Sequence, residues 1–192
     1  MLSPTVQKLV DLFVKFPTVG RRTAQRFAFY LIKSDQPEVN DLIEAIKNLK
    51  NKIKLCDWCG KSYEIEEQAN GLCAICSDSR RDQAVVCVIE KEVDLETIEK
   101  TGQFKGLYFI WNTNNEEQQL KKLIIRIKKS AIKEIILALD PTTEGRQLTL
   151  KIQRNLEALE IKLTQLGRGL PVGGEIEYAD QETITSALEG RK

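Results

Sequence analysis

A chain of 192 residues with apolar types at 42% has enough material for one core of ordinary size and a smaller satellite module. It contains no histidine, which excludes a Ser-His-Asp or Cys-His relay, a histidine general base and a histidine-ligated catalytic metal. The net charge of +1 conceals an asymmetry: residues 1–55 carry seven Lys and three Arg against three Asp and two Glu, a balance of +5 that leaves −4 for the remainder.

Clustered positive charge suits a polyanion partner, because each neutralised phosphate releases condensed counterions; on charge alone a solvated helical face fits equally well. No apolar run approaches the length needed to cross a bilayer, and Met1 to Lys15 reads as a charged amphipathic segment, not a signal peptide. A protein that stays where it is made, in a reducing compartment, is expected.

In chain order, Ser3-Pro4 places an N-cap before a proline at the first helical position, and Val6, Leu9, Val10 and Phe13 follow at helical spacing. This first helix is expected to end near Phe16-Pro17. After Pro17-Thr18-Val19-Gly20, a second helix over Arg21 to Ile32 puts Ala24, Phe27, Ala28 and Leu31 on one face, joined to the first by a tight turn. A third begins at Pro37, with Leu42, Ile43, Ile46, Leu49 and Ile53 as its apolar stripe.

Four of the five cysteines then form C-x2-C, thirteen intervening residues, and C-x2-C: Cys56, Cys59, Cys73 and Cys76. Each pair can bend through a tight turn to present two thiolates, and the two pairs complete the closed tetrahedron that zinc favours. With all positions filled by sulfur no metal-bound water remains, so the predicted zinc is structural, folding a segment too short to have its own core. Gly60 and Gly71 sit where the backbone must turn sharply around it.

From Gln83 the period changes. The apolar run Ala84 to Ile89, which holds the lone Cys87, reads as a strand, followed by a helix through Leu95 and Ile98. The alternation recurs as Leu107 to Trp111 before a helix through Leu120, Leu123, Ile124 and Ile127, and as Glu134 to Leu139 before one through Leu148, Ile152, Leu156 and Leu159. A further strand, Ile161 to Leu166, closes the series. Such alternation implies a parallel sheet covered on both faces, a Rossmann-like α/β domain.

Glu90 ends the first of these strands, Asp140 the third, and Glu144 opens the helix after it, so all three are expected at the carboxyl edge of the sheet. Three carboxylates in one place repel unless a cation such as magnesium or a basic partner neutralises them; a coincidence of position is the plain alternative. Arg168 to Gly174, rich in glycine and proline, reads as a surface loop.

With these pieces in order the chain resembles the bacterial RecR family nearly from end to end. The matching residues are Phe16-Pro17-Thr18-Val19-Gly20 with Ala24-Gln25-Arg26, the four cysteines running into Ser77-Asp78 and Arg80-Arg81-Asp82, and the strand Val85 to Glu90. More specific are Pro141-Thr142 and Glu144-Gly145, the segment Gly167 to Asp180 (GRGLPVGGEIEYAD), and Ala187 to Arg191. The resemblance implies a helix-hairpin-helix region over 1–54, a four-cysteine zinc finger over 55–80, a Toprim domain over 81–174 and a C-terminal arm over 175–192.

It also implies a protein without enzymatic activity that assembles as a homo-oligomer, a dimer or tetrameric ring able to encircle DNA. Such a protein works with RecO and RecF so that RecA can replace single-strand binding protein at gaps, in the cytoplasm and close to the nucleoid. In that picture Lys15, Arg21, Arg22 and Arg26 meet phosphates of single- or double-stranded DNA with little sequence preference. Glu90, Asp140 and Glu144 take the places of the Toprim acids, tied more to partner binding than to strand cleavage, with Mg2+ accommodated there but not required.

The competing enzyme reading is a Mg-dependent Toprim nuclease or topoisomerase-like activity on the same acids. Such enzymes carry a further Asp where this chain has Thr142. A third reading is a scaffold that makes protein contacts only.

Three departures from the family stand out: Thr18 where the hairpin turn usually has glycine, costly if φ is positive there; Lys91-Glu92 after the first acid; and a loop shortened to Asn112-Thr113-Asn114-Asn115 after Trp111.

Overall fold

The structure, a computed structural model, describes residues 2–65, 70–167 and 169–191. The chain divides into two compact units, residues 1–53 and 54–192.

In the first unit, α1 (Pro4–Phe13) starts as the sequence dictates: the Ser3 hydroxyl accepts the Val6 N–H and Pro4 needs no partner for an amide it lacks. The helix ends at Phe13, three residues before the expected end, because the residue preceding Pro17 is disfavoured in the helical region and the chain is already unwinding through Phe16. α2 (Arg21–Lys33) brings Ala24 and Ala28 against Val10, and the small side chains let the two helices approach closely. Phe13 meets Phe16 and Phe27 edge-on, with ring centroids 5.9 and 5.7 Å away.

Between them, Val19 N–H donates to the Phe16 carbonyl, closing a turn with Pro17 second and Thr18 third. That third position demands a positive φ, and Thr18 has φ +62°, the one non-glycine residue in this region among those described. The cost foreseen for threonine is therefore real, on the order of 1–2 kcal/mol for a left-handed L-residue. Thr18→Gly is expected to stabilise the first unit by about 1 kcal/mol, the strain relieved less the added entropy of unfolded glycine. An unchanged or lowered urea midpoint would show that the turn is not strained.

α3 (Gln36–Lys52) is capped by Asp35, whose carboxylate accepts the Glu38 N–H at 2.9 Å. Its stripe Leu42, Ile43, Ile46 and Leu49 is 42–60% exposed.

The second unit opens with two short paired strands, β1 (Ile53–Leu55) and β2 (Ser62–Glu64), and a single helical turn, α4 (Ala74–Ser77). Then come β3 (Asp82–Ile89), α5 (Glu92–Lys100), β4 (Gly106–Ile110), α6 (Glu116–Lys129), β5 (Glu134–Ala138), α7 (Thr143–Leu156) and β6 (Lys162–Gln165). The four-stranded sheet has the order β4-β3-β5-β6 and is parallel throughout, with Val88 opposite Phe109 on one side and Leu137 on the other.

Alternate residues of β3 feed opposite faces. Val86 and Val88, with Leu107, Phe109, Ile135 and Leu137, pack under Leu123 and Ile127 of α6 and Leu148, Ile152 and Leu156 of α7. Cys87 and Ile89, with Tyr108, pack under Leu95 of α5 and under Tyr63 and the four paired cysteines. The cysteine segment is therefore the second cover of the sheet and not a satellite with separate packing.

On that face Arg81 donates to Glu99 at 2.9 Å and to the Gly106 carbonyl at 3.1 Å, and the Tyr108 hydroxyl donates to Glu99 at 2.6 Å. The Arg81 hydrogen bonds hold the Glu99 carboxyl below its ordinary range. Arg81→Ala strands both partners and is expected to cost about 2–3 kcal/mol at neutral pH. A carboxyl whose folded pKa is depressed stabilises above its unfolded pKa and loses that contribution as pH falls through the folded one. The gap between wild type and variant in denaturant melts should thus close as pH drops below ~4.5.

The loop after β6 holds no helix or strand over 169–174, as expected; Arg168 lies outside the described residues. Beyond it the C-terminal arm folds as a 3-10 turn, Ile176–Tyr178, and an unforeseen helix, α8 (Gln181–Glu189), capped by Asp180 through the Thr183 N–H. Glu182 of α8 pairs with Arg146 of α7 at 2.7 Å. No helix among the described residues is long and apolar enough to cross a membrane.

Candidate metal centre, acidic edge and basic hairpin

The two cysteine pairs are built alike. Gly60 N–H donates to the Cys56 carbonyl at 2.9 Å and Ser77 N–H to the Cys73 carbonyl at 3.0 Å, so each pair is wound on one tight turn. Gly60 and Gly71 have φ +83° and +78°, and a Cβ on Gly71 would lie 2.3 Å from the Asp57 carboxylate. The turns bring Cys56, Cys59, Cys73 and Cys76, all buried, to sulfur positions within 4.8 Å of one another.

Tetrahedral coordination at ~2.3 Å sets sulfurs about 3.8 Å apart, and Cys59 and Cys73 Sγ are 3.6 Å apart. Backbone amides already point at the sulfurs: Lys61 N–H to Cys59 at 3.4 Å and Cys73 N–H to Cys56 at 3.3 Å. Buried and this close together, the four sulfurs cannot all ionise unless a positive charge lies between them. Four thiolates can coexist here only around a cation, and the donor set fits a metal such as zinc. Cys87, by contrast, is pushed up to about 12 by burial and stays an inert thiol of the core.

At the carboxyl edge the first strand, β3, is flanked by β4 and β5, so a crevice opens where their connections part to opposite faces. Glu90 and Asp140 meet there: the Glu90 carboxylate accepts the Asp140 N–H at 3.0 Å. Gly145 lets α7 approach, since a Cβ would fall 2.0 Å from the Asp140 carbonyl and 3.1 Å from the Glu90 carboxylate. The Asp140 carboxylate is taken by Lys91 at 2.7 Å. Glu144 is exposed on the first turn of α7. Among the described residues these three acids do not form a ligand group, in contrast to the cysteines; they share an edge without converging on one point. Thr142 caps α7, its hydroxyl accepting the Gly145 N–H at 3.1 Å.

In the first unit, Lys15, Arg21, Arg22 and Arg26 are all exposed around the hairpin turn. Arg21 reaches Gln7 at 3.3 Å, and none of the four forms an ion pair among the described residues. α2 begins at Gly20 without a side-chain cap and without an acid in its first turn, which leaves its amide groups open to an anion. The sequence reading missed Lys91 as the partner of Asp140, although both lay in segments it had singled out, and it gave no role to Arg126, whose guanidinium reaches the cysteine segment.

The comparisons with known proteins divide along the same lines. Residues 6–50 match the RecR helix-hairpin-helix family, residues 84–167 the Toprim domain and residues 169–192 the RecR C-terminal family. The recombination protein RecR of Bifidobacterium adolescentis is 40% identical, over 97% of this chain and 95% of its own. That of Leifsonia xyli is 36% identical over 100% and 98%, and that of Chloroherpeton thalassium 37% over 98% and 97%.

Proposed function

The chain belongs to the RecR family of recombination proteins, and from that premise we propose that it is a non-enzymatic, DNA-binding mediator of recombinational repair. It acts as a homo-oligomeric clamp, with RecO and RecF as partners, to help load RecA at single-stranded gaps, in the cytoplasm beside the nucleoid. The observation that carries the reading is the hairpin: four exposed cations without carboxylate partners among the described residues, beside an uncapped helix start. Charge and backbone amides recognise phosphate without reading bases.

Further features support the assembly and the absence of chemistry. Leu42, Ile43, Ile46 and Leu49 of α3 stay 42–60% exposed, and a second copy of the same unit would cover them. Cys56, Cys59, Cys73 and Cys76 hold one structural zinc. On the sheet edge Asp140 is neutralised by Lys91, and Thr142, in the place of a further acid, is engaged as a helix cap. Glu90, Asp140 and Glu144 then serve as a partner-binding edge, with Mg2+ optional.

The test is a salt titration of single- and double-stranded DNA binding by the zinc-loaded protein, with its mass in solution measured alongside. Assembly beyond a monomer with steeply salt-dependent, sequence-tolerant binding is expected. A monomer indifferent to DNA at low salt would refute the clamp. Supercoiled plasmid with Mg2+ should stay intact; nicking that vanishes in Glu144→Ala would establish the enzyme reading instead.

A further inference from the structure

Arg126, on α6, lies between two parts of the second unit. Its guanidinium sits 5.1 Å from the ring centroid of Trp58, one of the two residues between Cys56 and Cys59, and 4.8 Å from that of Phe109 on β4. It also donates to the Asp57 carbonyl. Among the described residues it has no carboxylate at ion-pair distance. The other cation beside the cysteines, Lys61, is already paired with Glu92 at 3.0 Å.

A half-buried guanidinium held against two rings is costly unless a negative charge faces it. The charge nearest to it is that of the cysteine cluster, whose loop it touches at the Asp57 carbonyl and the Trp58 ring. Four thiolates around a dication leave two net negative charges, and stacking on two aromatic rings fixes the cation beside them.

We propose that Arg126 is the counter-cation of the metal–thiolate cluster and pins the cysteine segment to α6. It is a positioning residue: it touches the loop that carries Cys56 and Cys59, not the metal. The inference rests on reading the cluster as a zinc site and adds that zinc retention depends on a charge 50 residues beyond the last ligand in sequence.

The experiment follows zinc release from the full-length, zinc-loaded protein into excess chelator with a colorimetric zinc indicator, for wild type, Arg126→Gln and Arg126→Lys. Arg126→Gln keeps a polar group near Asp57 but removes the charge, and should lose zinc about tenfold faster. Arg126→Lys restores charge without the planar stack and should stay close to wild type. An Arg126→Gln rate equal to wild type overturns the proposal. So does Arg126→Lys releasing as fast as Arg126→Gln, which would assign the effect to lost stacking. If Arg126→Gln fails to take up zinc while Arg126→Lys loads normally, charge is the requirement and the proposal stands; if neither loads, it falls. A wild type that holds no zinc would refute the zinc reading itself, a separate outcome.

Discussion

Chelation of the metal, or Cys59→Ser, is expected to unfold the second unit at physiological temperature while leaving the first folded. Among the described residues the α-helices and strands of the cysteine segment are two three-residue strands and one four-residue helix, too little for it to fold by itself. Its cysteines nevertheless form one continuous core with Cys87, Ile89, Leu95 and Tyr108. Zinc binding in small four-ligand modules supplies on the order of 10 kcal/mol, comparable to the whole stability of a domain. Removing it turns four metal-bound thiolates into four buried thiols and uncovers one face of the sheet. Core packing of the first unit involves Val10, Ala24 and Ala28 and contains none of these residues. Elemental analysis should give one zinc per chain. Circular dichroism of the chelated protein should show the helices of the first unit persisting while the near-ultraviolet signal of Tyr108 and Trp111 collapses. An apoprotein that melts within a few degrees of the zinc-loaded form would contradict this coupling.

How far the sequence reached differs from element to element. The strand and helix positions of the second unit are legible because each apolar run has a single period, and a parallel sheet buried on both faces has few ways to be wrong. The cysteine cluster is legible because the C-x2-C spacing alone brings each pair together. That the cysteine segment shares the core of the sheet is not legible: Tyr63 is apolar at an isolated position, and only the fold makes it and Cys76 neighbours of Tyr108. α8 carried a signal that went unused, Asp180 as cap before Ile184, Ala187 and Leu188 at helical spacing. The α3 stripe shows the opposite limit. Periodicity states that a face is to be buried and is silent on whether its cover lies in the same chain. Likewise strand ends in the sequence point to a shared edge for the three acids, but whether their oxygens converge depends on side-chain partners such as Lys91, 49 residues from Asp140.

The basic hairpin admits a test in which loss of function cannot be confused with misfolding. Replacing Arg21, Arg22 and Arg26 together by Glu changes the balance of residues 1–55 from +5 to −1. DNA affinity at moderate salt should fall by about 100-fold or more, and the slope of log affinity against log salt should flatten by roughly 0.9 for each phosphate contact removed. All three arginines are exposed and outside the core of Val10, Ala24 and Ala28, so packing is untouched. Moreover, Arg21 and Arg22 stand in the first turn of α2, where the helix dipole opposes positive charge, and Glu there is favoured by about 0.3–1 kcal/mol. The triple variant should therefore melt no lower than wild type while failing to bind. Two arginines kept where they weaken their own helix make sense if the opposing charge is supplied from outside, by phosphate. Should the variant bind DNA as wild type does, the hairpin is not the DNA-contacting element, and the scaffold reading becomes the better account of this unit.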